Sequence, residues 1–163
     1  MSKTLAIAWG IGLMCVAIAV GAIFYVQRGA HLVLDGKILK VRTAPLDENS
    51  SVGIIDFRVS NSSNVTFVVR TATLLLEDPS GNQAEGQSVS DVDAARVFQG
   101  IPMLGEKYNS TILMNDKIRP HTTKDRMLAA RFEAPESKLD SRKRFILRLE
   151  DVDGPVSEIS EKK

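Results

Sequence analysis

The sequence predicts a mainly β protein, in which one N-terminal transmembrane α-helix precedes an antiparallel β-sandwich that contains one short helix. Three observations predict this fold: a charge-free apolar run at residues 5–26, a period-two alternation of apolar residues after it, and clusters of turn-forming residues between the alternating segments. The 163 residues suffice for one folded domain and a short appendage. The formal net charge of +1 argues against a strongly basic nucleic-acid binder, so we expect no nucleic-acid partner.

The apolar run at residues 5–26 predicts a helix that crosses the lipid bilayer once. At 1.5 Å per residue it would reach about 33 Å, against a hydrocarbon core of about 30 Å. Trp9 near one end and Phe24 and Tyr25 near the other are residue types that favour the membrane interface. A cleaved signal peptide is the alternative, because Val20-Gly21-Ala22 resembles a small-residue cleavage site, although the run exceeds the roughly 7–15 apolar residues typical of such peptides.

The basic residues around this helix leave two orientations open. Only Lys3 precedes the run, whereas Arg28, Lys37, Lys40 and Arg42 follow it, and a count of positive charges would keep the following domain in the cytoplasm. Long domains, however, translocate largely regardless of charge, and a short N-terminus before an apolar run is typical of a signal anchor. We therefore expect a single-pass cell-membrane protein with an extracytoplasmic domain, which would be periplasmic in a Gram-negative bacterium.

Small residues recur along one face of the predicted helix. The pairs Ala6 with Gly10 and Ala17 with Gly21 each have the small-xxx-small spacing that lets two membrane helices approach closely. These four residues are therefore candidate helix-association positions, and a homo-oligomer is a hypothesis. Small residues are also common in membrane helices that do not associate, which is the alternative interpretation.

The rest of the chain has a different composition from the apolar run. All 20 acidic residues and all basic residues except Lys3 follow it, and the only cysteine, Cys15, lies inside it, so no disulfide can form in the following domain. We divide the chain into an N-terminal tail 1–4, a transmembrane helix 5–26, a juxtamembrane linker 27–31, a β-sandwich domain 32–153 and a flexible C-terminal tail 154–163.

Period-two patterns predict most strands of this domain. Three segments each place apolar residues on one face and polar residues on the other, namely Ile55, Phe57 and Val59; Leu128, Ala130 and Phe132; and Phe145, Leu147 and Leu149. Residues 65–77 are apolar on both faces, which is typical of a more central strand. The first strand changes phase between Leu34 and Leu39, and we expect Gly36 to form a bulge or a turn there.

One short helix is predicted between the strands. Ser90 and Asp93 have the spacing of a capping box, and Ala94, Val97, Phe98 and Ile101 follow at helical spacing. We expect the helix to end by Gly100, before Pro102.

Six or seven short strands with one intervening helix indicate an immunoglobulin-like antiparallel sandwich, with a small barrel as the alternative. Residues 56–63, DFRVSNSS, followed by Val65 and Phe67, resemble the strand–Asn–turn–strand signature of bacterial immunoglobulin-like domains. Those domains include the late-embryogenesis-abundant (water-stress) domains and membrane- or lipid-anchored telokin-like domains. Residues 118–121, IRPH, resemble their late hairpin. The resemblance implies a binding or structural module without catalytic residues.

No pattern in the sequence predicts catalysis, a cofactor or a metal site. His31 and His121 are not spaced with cysteines or carboxylates as a metal site requires, and the common hydrolase, zinc and nucleotide-binding motifs are absent. The acidic turn at residues 150–154 could supply calcium ligands, but it lacks the remaining positions of an EF-hand loop, and we favour a charged turn after a strand. The basic residues 142–144 could contact phosphates or an anionic membrane, or form a solvated hairpin loop.

The apolar segment around the short helix is the candidate partner-binding surface. Its members are Phe98, Ile101, Met103, Leu104 and Tyr108. If they do not close an open end of the sandwich, they form a patch suited to a protein. We therefore expect a membrane-anchored module with a non-catalytic binding or scaffolding role in the cell envelope. The alternatives are a bitopic accessory subunit of a larger membrane complex with its domain in the cytoplasm, and a hydrolase or ligand-transport domain.

Overall fold

The computed structural model describes residues 3–27 and 33–162, and within the first helix it describes the side chains of residues 9–22. The chain forms two compact units, Met1–Leu32 and Val33–Lys163. Most of the predicted juxtamembrane linker 27–31, together with His31 and Arg28, lies outside the described residues.

The first unit contains helix α1, Lys3–Gln27, which confirms a helix over the predicted segment 5–26. The apolar side chains described in it are exposed, among them Trp9, Leu13 and Ile18. Within the described side chains, which cover only residues 9–22 of α1, no helix is both long and apolar enough to cross a membrane. The predicted crossing therefore stays a prediction.

The second unit is mainly β. Its described elements are β1 (Asp35–Pro45), β2 (Ser51–Asn61), β3 (Phe67–Glu77), β4 (Gln83–Ser88), α2 (Asp91–Gly100), a 3-10 turn (Pro102–Leu104), β5 (Lys117–Ile118), β6 (Thr122–Phe132), α3 (Glu136–Asp140), β7 (Arg144–Asp151) and β8 (Val156–Ser160). The paired strands are antiparallel, in the order β1-β2-β6-β4-β3-β7-β8, and β5 pairs with β3.

Strand β4 divides this sheet into two layers. Its residues 83–86 pair with β3, and Gln87 and Ser88 then pair with β6. The layer β1-β2-β6 consequently faces the layer β3-β7-β8. Phe132 of β6 and Phe145 of β7 meet between the layers, with their ring centroids 5.8 Å apart. This packing confirms the predicted antiparallel β-sandwich.

The side chains that the period-two patterns place inward are buried. They are Ile55, Phe57 and Val59 of β2, Leu128, Ala130 and Phe132 of β6, and Phe145, Leu147 and Leu149 of β7. Gly53 lies opposite both aromatic rings of this core, and a Cβ atom there would come within 3.0 Å of Phe145 and 3.1 Å of Phe132. The glycine therefore makes room for the two rings.

Two elements differ from the sequence prediction. The register of β1 shifts between Ile38 and Lys40, so the bulge lies at Leu39 and not at Gly36. The predicted flexible tail 154–163 instead contains β8, which pairs with β7 along its whole length. Ser157 and Ile159 of β8 are buried, and Ser157 Oγ accepts a 2.8 Å hydrogen bond from the Leu34 N–H. These contacts order a segment whose polar composition predicts fraying.

Helix α2 covers the outer face of the β1-β2-β6 layer and forms a second, smaller core there. Its buried members are Ala44, Val52, Ile54, Ala94, Phe98, Leu104, Met127 and Ala129, and Val89, Val97 and Ile101 pack at its margin. Strand β2 is therefore buried on both faces, whereas its alternating sequence predicts burial on one. The candidate site lies where the chain leaves α2 and crosses this face.

Candidate functional site

The start of α2 is set by its N-terminal cap. Ser90 Oγ accepts a 3.1 Å hydrogen bond from the Asp93 N–H, and the Ser90 hydroxyl donates to Asp93 Oδ2 at 2.7 Å. This cap satisfies a backbone donor that the first turn of a helix leaves free. The Ile101 N–H donates to the carbonyl of Val97, so α2 ends at Gly100 as predicted.

The structure divides the five predicted partner-binding residues. Phe98 and Leu104 are 8% and 3% exposed, and Ile101 is half-buried, because this face of α2 and of the turn after it packs on the outer face of the sheet. Met103 and Tyr108 are 75% and 66% exposed. Phe98 and Leu104 therefore belong to the second core, and Met103 and Tyr108 are the members that reach the surface.

An ion pair that the sequence analysis missed lies beneath this segment. Arg42 of β1 pairs with Asp56 of β2, and both side chains are more than nine-tenths buried. Arg42 Nη1 donates to the carbonyl oxygens of Leu104 at 3.1 Å and Glu106 at 2.8 Å, and Asn109 Nδ2 donates to Asp56 Oδ1 at 2.8 Å. The pair thus binds residues 101–111, which we call the covering segment, to the sheet.

Aromatic contacts extend this cluster to the surface. The Arg42 guanidinium lies 4.7 Å from the ring centroid of Phe98 and 6.0 Å from that of Tyr108. Lys40 Nζ lies 5.5 Å from the Tyr108 ring. Cations at these distances attract the electron-rich ring faces. Tyr108 is exposed, and its ring lies near two cationic side chains.

A second ion pair binds the covering segment to α2. Lys107 pairs with Asp91 in the first turn of the helix, and the Thr111 N–H donates to Asp91 Oδ1 at 3.3 Å. The Lys107 ammonium, and after it Thr111, lower the pKa of Asp91 to about 2. The carboxylate is therefore ionised, and the contact is intact, over the whole physiological pH range.

One feature of the sequence indicates the buried ion pair that the sequence analysis missed. Asp56 directly follows the apolar run Val52–Ile55 of β2, and Arg42 occurs one strand earlier. Strict alternation assigns Asp56 to solvent, and this assignment is wrong because the covering segment buries that face. Only the pairing of β1 with β2, which aligns Lys40 with Asp56, brings Arg42 near the carboxylate.

The basic residues 142–144 are bound within the protein. Arg142 forms two hydrogen bonds with the Glu161 carboxylate, at 2.8 and 3.0 Å. Lys143 Nζ and Arg144 Nε each lie 2.6 Å from an oxygen of the Glu77 carboxylate. Both acidic partners are largely buried, so these pairs hold the end of the connection between β6 and β7, which contains α3, against Glu77 at the end of β3 and Glu161 after β8.

In the acidic turn at 150–154, the Asp151 carboxylate already accepts hydrogen bonds from backbone N–H groups. Asp151 is buried, and its carboxylate accepts from the N–H groups of Val68 at 2.6 Å and Asp153 at 2.9 Å. His121 is exposed and lies 2.9 Å from the amide oxygen of Asn64. Across residues 3–27 and 33–162 the described side chains form no group of three or more residues that could hold a metal ion.

The predicted helix-association positions lie on an uncovered part of α1. A Cβ atom at Gly10 or Gly21 would meet nothing within 4 Å, and Ala17 is exposed. The side chain of Ala6 lies outside the described residues. Association through this face stays a prediction.

Comparison with protein families and with curated proteins finds no match to this chain. Among solved structures, an uncharacterised β-sandwich protein from Clostridium difficile 630 is 14% identical with a TM-score of 0.42, covering 80% of this chain and 86% of its own. The archaellum periplasmic stator protein FlaG from Sulfolobus acidocaldarius is 11% identical with a TM-score of 0.38, covering 78% of this chain and 99% of its own. Similarity at this level identifies neither a family nor a function.

Proposed function

We propose that this chain is a single-pass, membrane-anchored immunoglobulin-like module that binds a protein partner in the cell envelope without catalysing a reaction. The observation that carries this proposal is that Tyr108 and Met103 of the covering segment are both largely exposed, and that Lys40 and Arg42 lie near the Tyr108 ring. Aromatic and methionine side chains are enriched at the centres of protein interfaces. Contacts of the ring with Lys40 and Arg42 reduce the conformational entropy that Tyr108 loses when a partner covers it.

The strand order supports the immunoglobulin-like assignment. When β1, β2, β3, β4, β6, β7 and β8 are lettered A to G in chain order, the pairs form the layers A-B-E-D and C-F-G. This is the order of constant-type immunoglobulin domains. Strand β4, at position D, also pairs with C, and the two-residue strand β5 is additional.

The anchor is supported by the chemistry of α1. Residues 5–26 carry no charge, and the large apolar side chains described there are between 45% and 66% exposed. Contact of a continuous apolar surface with water is unfavourable in free energy, and burial in lipid or against another apolar surface removes this contact.

Pull-down of the full chain in mild detergent from the cells that naturally produce it tests the binding surface. Tyr108→Ala combined with Met103→Ala is expected to lose a partner that the unaltered chain retains. Val65→Ala, at an exposed apolar residue in the turn between β2 and β3, is the matched control and is expected to retain it. Equal recovery with both variants, or a monodisperse monomer without a stable partner, would contradict the proposed surface.

A topology reporter fused after Lys163 tests the location of the domain. We expect a reporter that works only outside the cytoplasm to be active. Activity of a reporter that works only inside it would instead support the accessory-subunit alternative with a cytoplasmic domain.

A further inference from the structure

A groove opens at the edge of the sandwich where β3 lacks a neighbouring strand. The β3 edge that faces away from β7 pairs with β5 at Phe67 and Val68 and with β4 from Leu74 onward. Over residues 70–73, none of the described strands pairs with that edge. Strand β4 leaves β3 at Gly86 and joins β6, and the two layers separate there.

The groove reaches the sandwich interior. Its volume is about 410 Å³, which is within the range of small-molecule sites. Leu128, a buried residue of the main core, forms part of its wall together with Val89 and Ile112. Leu113 and Met114 lie at the groove and are 49% and 70% exposed. Met114 has a flexible thioether chain that can adapt to an apolar occupant.

The gap is too short for an added β-strand. Four residues of strand span about 13 Å, and β5 and β4 already occupy the same edge on both sides. The Ser88 hydroxyl also donates to the carbonyl of Ala72 at 2.8 Å, so one backbone acceptor at the gap is taken. The occupant that fits is therefore a small molecule that enters across the strands.

The polar groups at the groove indicate which charge an occupant would carry. Arg70 is the one charged side chain among the lining residues, which also include Thr71, Thr73 and Ser88. The Thr71 hydroxyl donates to Glu150 Oε2 at 3.0 Å. Arg70 lies 3.5 Å from Glu150, and both side chains are more than one-third exposed, at 58% and 36%. Exposed pairs of this kind contribute little energy, so the guanidinium can turn to another anion at little cost.

We propose that this groove binds a small anionic amphiphile, with its apolar chain between the two layers and its carboxylate against Arg70. Guanidinium and carboxylate form charge-assisted hydrogen bonds. Burial of the chain against Leu128, Val89 and Ile112 provides the apolar part of the affinity.

Titration of the full chain in phospholipid nanodiscs with octanoate tests this site, with the methionine methyl groups observed by NMR. The Met114 methyl is expected to shift and saturate, whereas Met103, which is exposed on the covering segment, is expected not to. Met14 in α1 reports octanoate that merely enters the lipid. Octylammonium, which has the same chain and the opposite charge, is expected to bind at least tenfold more weakly.

Variants separate the two parts of the site. Arg70→Gln is expected to weaken octanoate binding about tenfold, and Arg119→Gln, at an exposed arginine in the loop after β5, is expected to leave it unchanged. Ser88→Leu fills the groove and is expected to abolish the Met114 shift, while an unchanged signal from the buried Met127 shows that the fold is retained. An unmoved Met114, equal binding of octylammonium, or a Met114 response that only follows Met14 would each overturn the proposal.

Discussion

Single polar residues hold together parts of this sandwich that apolar packing alone leaves apart. Asn61 at the end of β2 is fully buried, and its amide donates to the carbonyls of Val65 at 2.7 Å and Ile118 at 2.9 Å. Its oxygen accepts from the N–H of Ser63 at 3.0 Å and from the Ser63 hydroxyl at 2.7 Å. One side chain thus links the turn after β2 to β5. These hydrogen bonds explain why an asparagine occurs at the end of β2, where the sequence predicts a turn.

The buried pair Arg42–Asp56 leads to the first prediction. Asp56→Ala leaves a buried guanidinium without its counterion, and we expect the free energy of unfolding to fall by about 3–5 kcal/mol. Arg42→Met together with Asp56→Leu buries no charge and is expected to be less destabilised than Asp56→Ala alone, because removing both charges removes the desolvation penalty. Urea unfolding of the full chain, followed by circular dichroism of the sheet, measures both effects.

The pair Arg58–Asp125 is the matched control for this prediction. It joins β2 to β6, neighbouring strands of the same layer, at 2.6 Å, but its side chains are 48% and 36% exposed. Asp125→Ala is expected to cost roughly 0.2–1 kcal/mol. If Asp56→Ala costs no more than Asp125→Ala, the buried pair does not hold the covering segment to the sheet.

At the scale of elements, the stability of α2 depends on its N-terminal cap more than on its length. Ten residues are too few for a stable isolated helix, so its order comes from the apolar face on the sheet and from Ser90. We expect Ser90→Ala to destabilise the protein by about 1 kcal/mol and to speed hydrogen exchange of the Asp93 amide. Ser90→Asp, which keeps a side-chain acceptor at the cap, is expected to preserve most of the protection. Equal exchange of the Asp93 amide in all three proteins would contradict this role.

Elements whose order is local could be predicted from the sequence, and elements ordered by distant contacts could not. The inward residues of β2, β6 and β7 follow from period two, and the limits of α2 follow from Ser90 and Gly100. Strand β8 could not be found, because its order depends on pairing with β7 and on the contact of Ser157 with Leu34. The burial of Asp56 depends on a covering segment about fifty residues further along the chain.

The candidate site was predictable only in outline for the same reason. Helical spacing identifies Phe98 and Ile101 as one apolar face, but the face of the sheet that receives them is set by the strand order. Tyr108 follows the helix without any periodic pattern. Its ring lies near Lys40 and Arg42, which are distant in the chain.

For the whole molecule, carboxylates bound in the folded state make stability depend on pH. The Lys143 ammonium and then the Arg144 guanidinium hold the pKa of Glu77 below its ordinary value, and Lys107 lowers that of Asp91 to about 2. Hydrogen bonding to Arg58 likewise lowers the pKa of Asp125. A carboxyl whose pKa is lower in the folded than in the unfolded state contributes stability above its unfolded pKa, and this contribution is lost as the pH falls through the folded pKa.

The pH range over which acid reduces the stability of the protein follows from these pKa values. Unfolded carboxyl groups titrate near pH 4, and Asp91 in the folded protein titrates at about 2, so we expect the urea midpoint of the full chain to fall from about pH 5 to about pH 2. Glu77→Gln removes one contributor, so its midpoint should lie below that of the unaltered chain at pH 7 and approach it towards pH 2. Glu85→Gln, at an exposed carboxyl on β4, is the control and is expected to track the unaltered chain. A difference in urea midpoint between the Glu77→Gln and unaltered proteins that stays constant from pH 7 to pH 2 would mean that the Glu77 charge does not join the start of β7 to the end of β3.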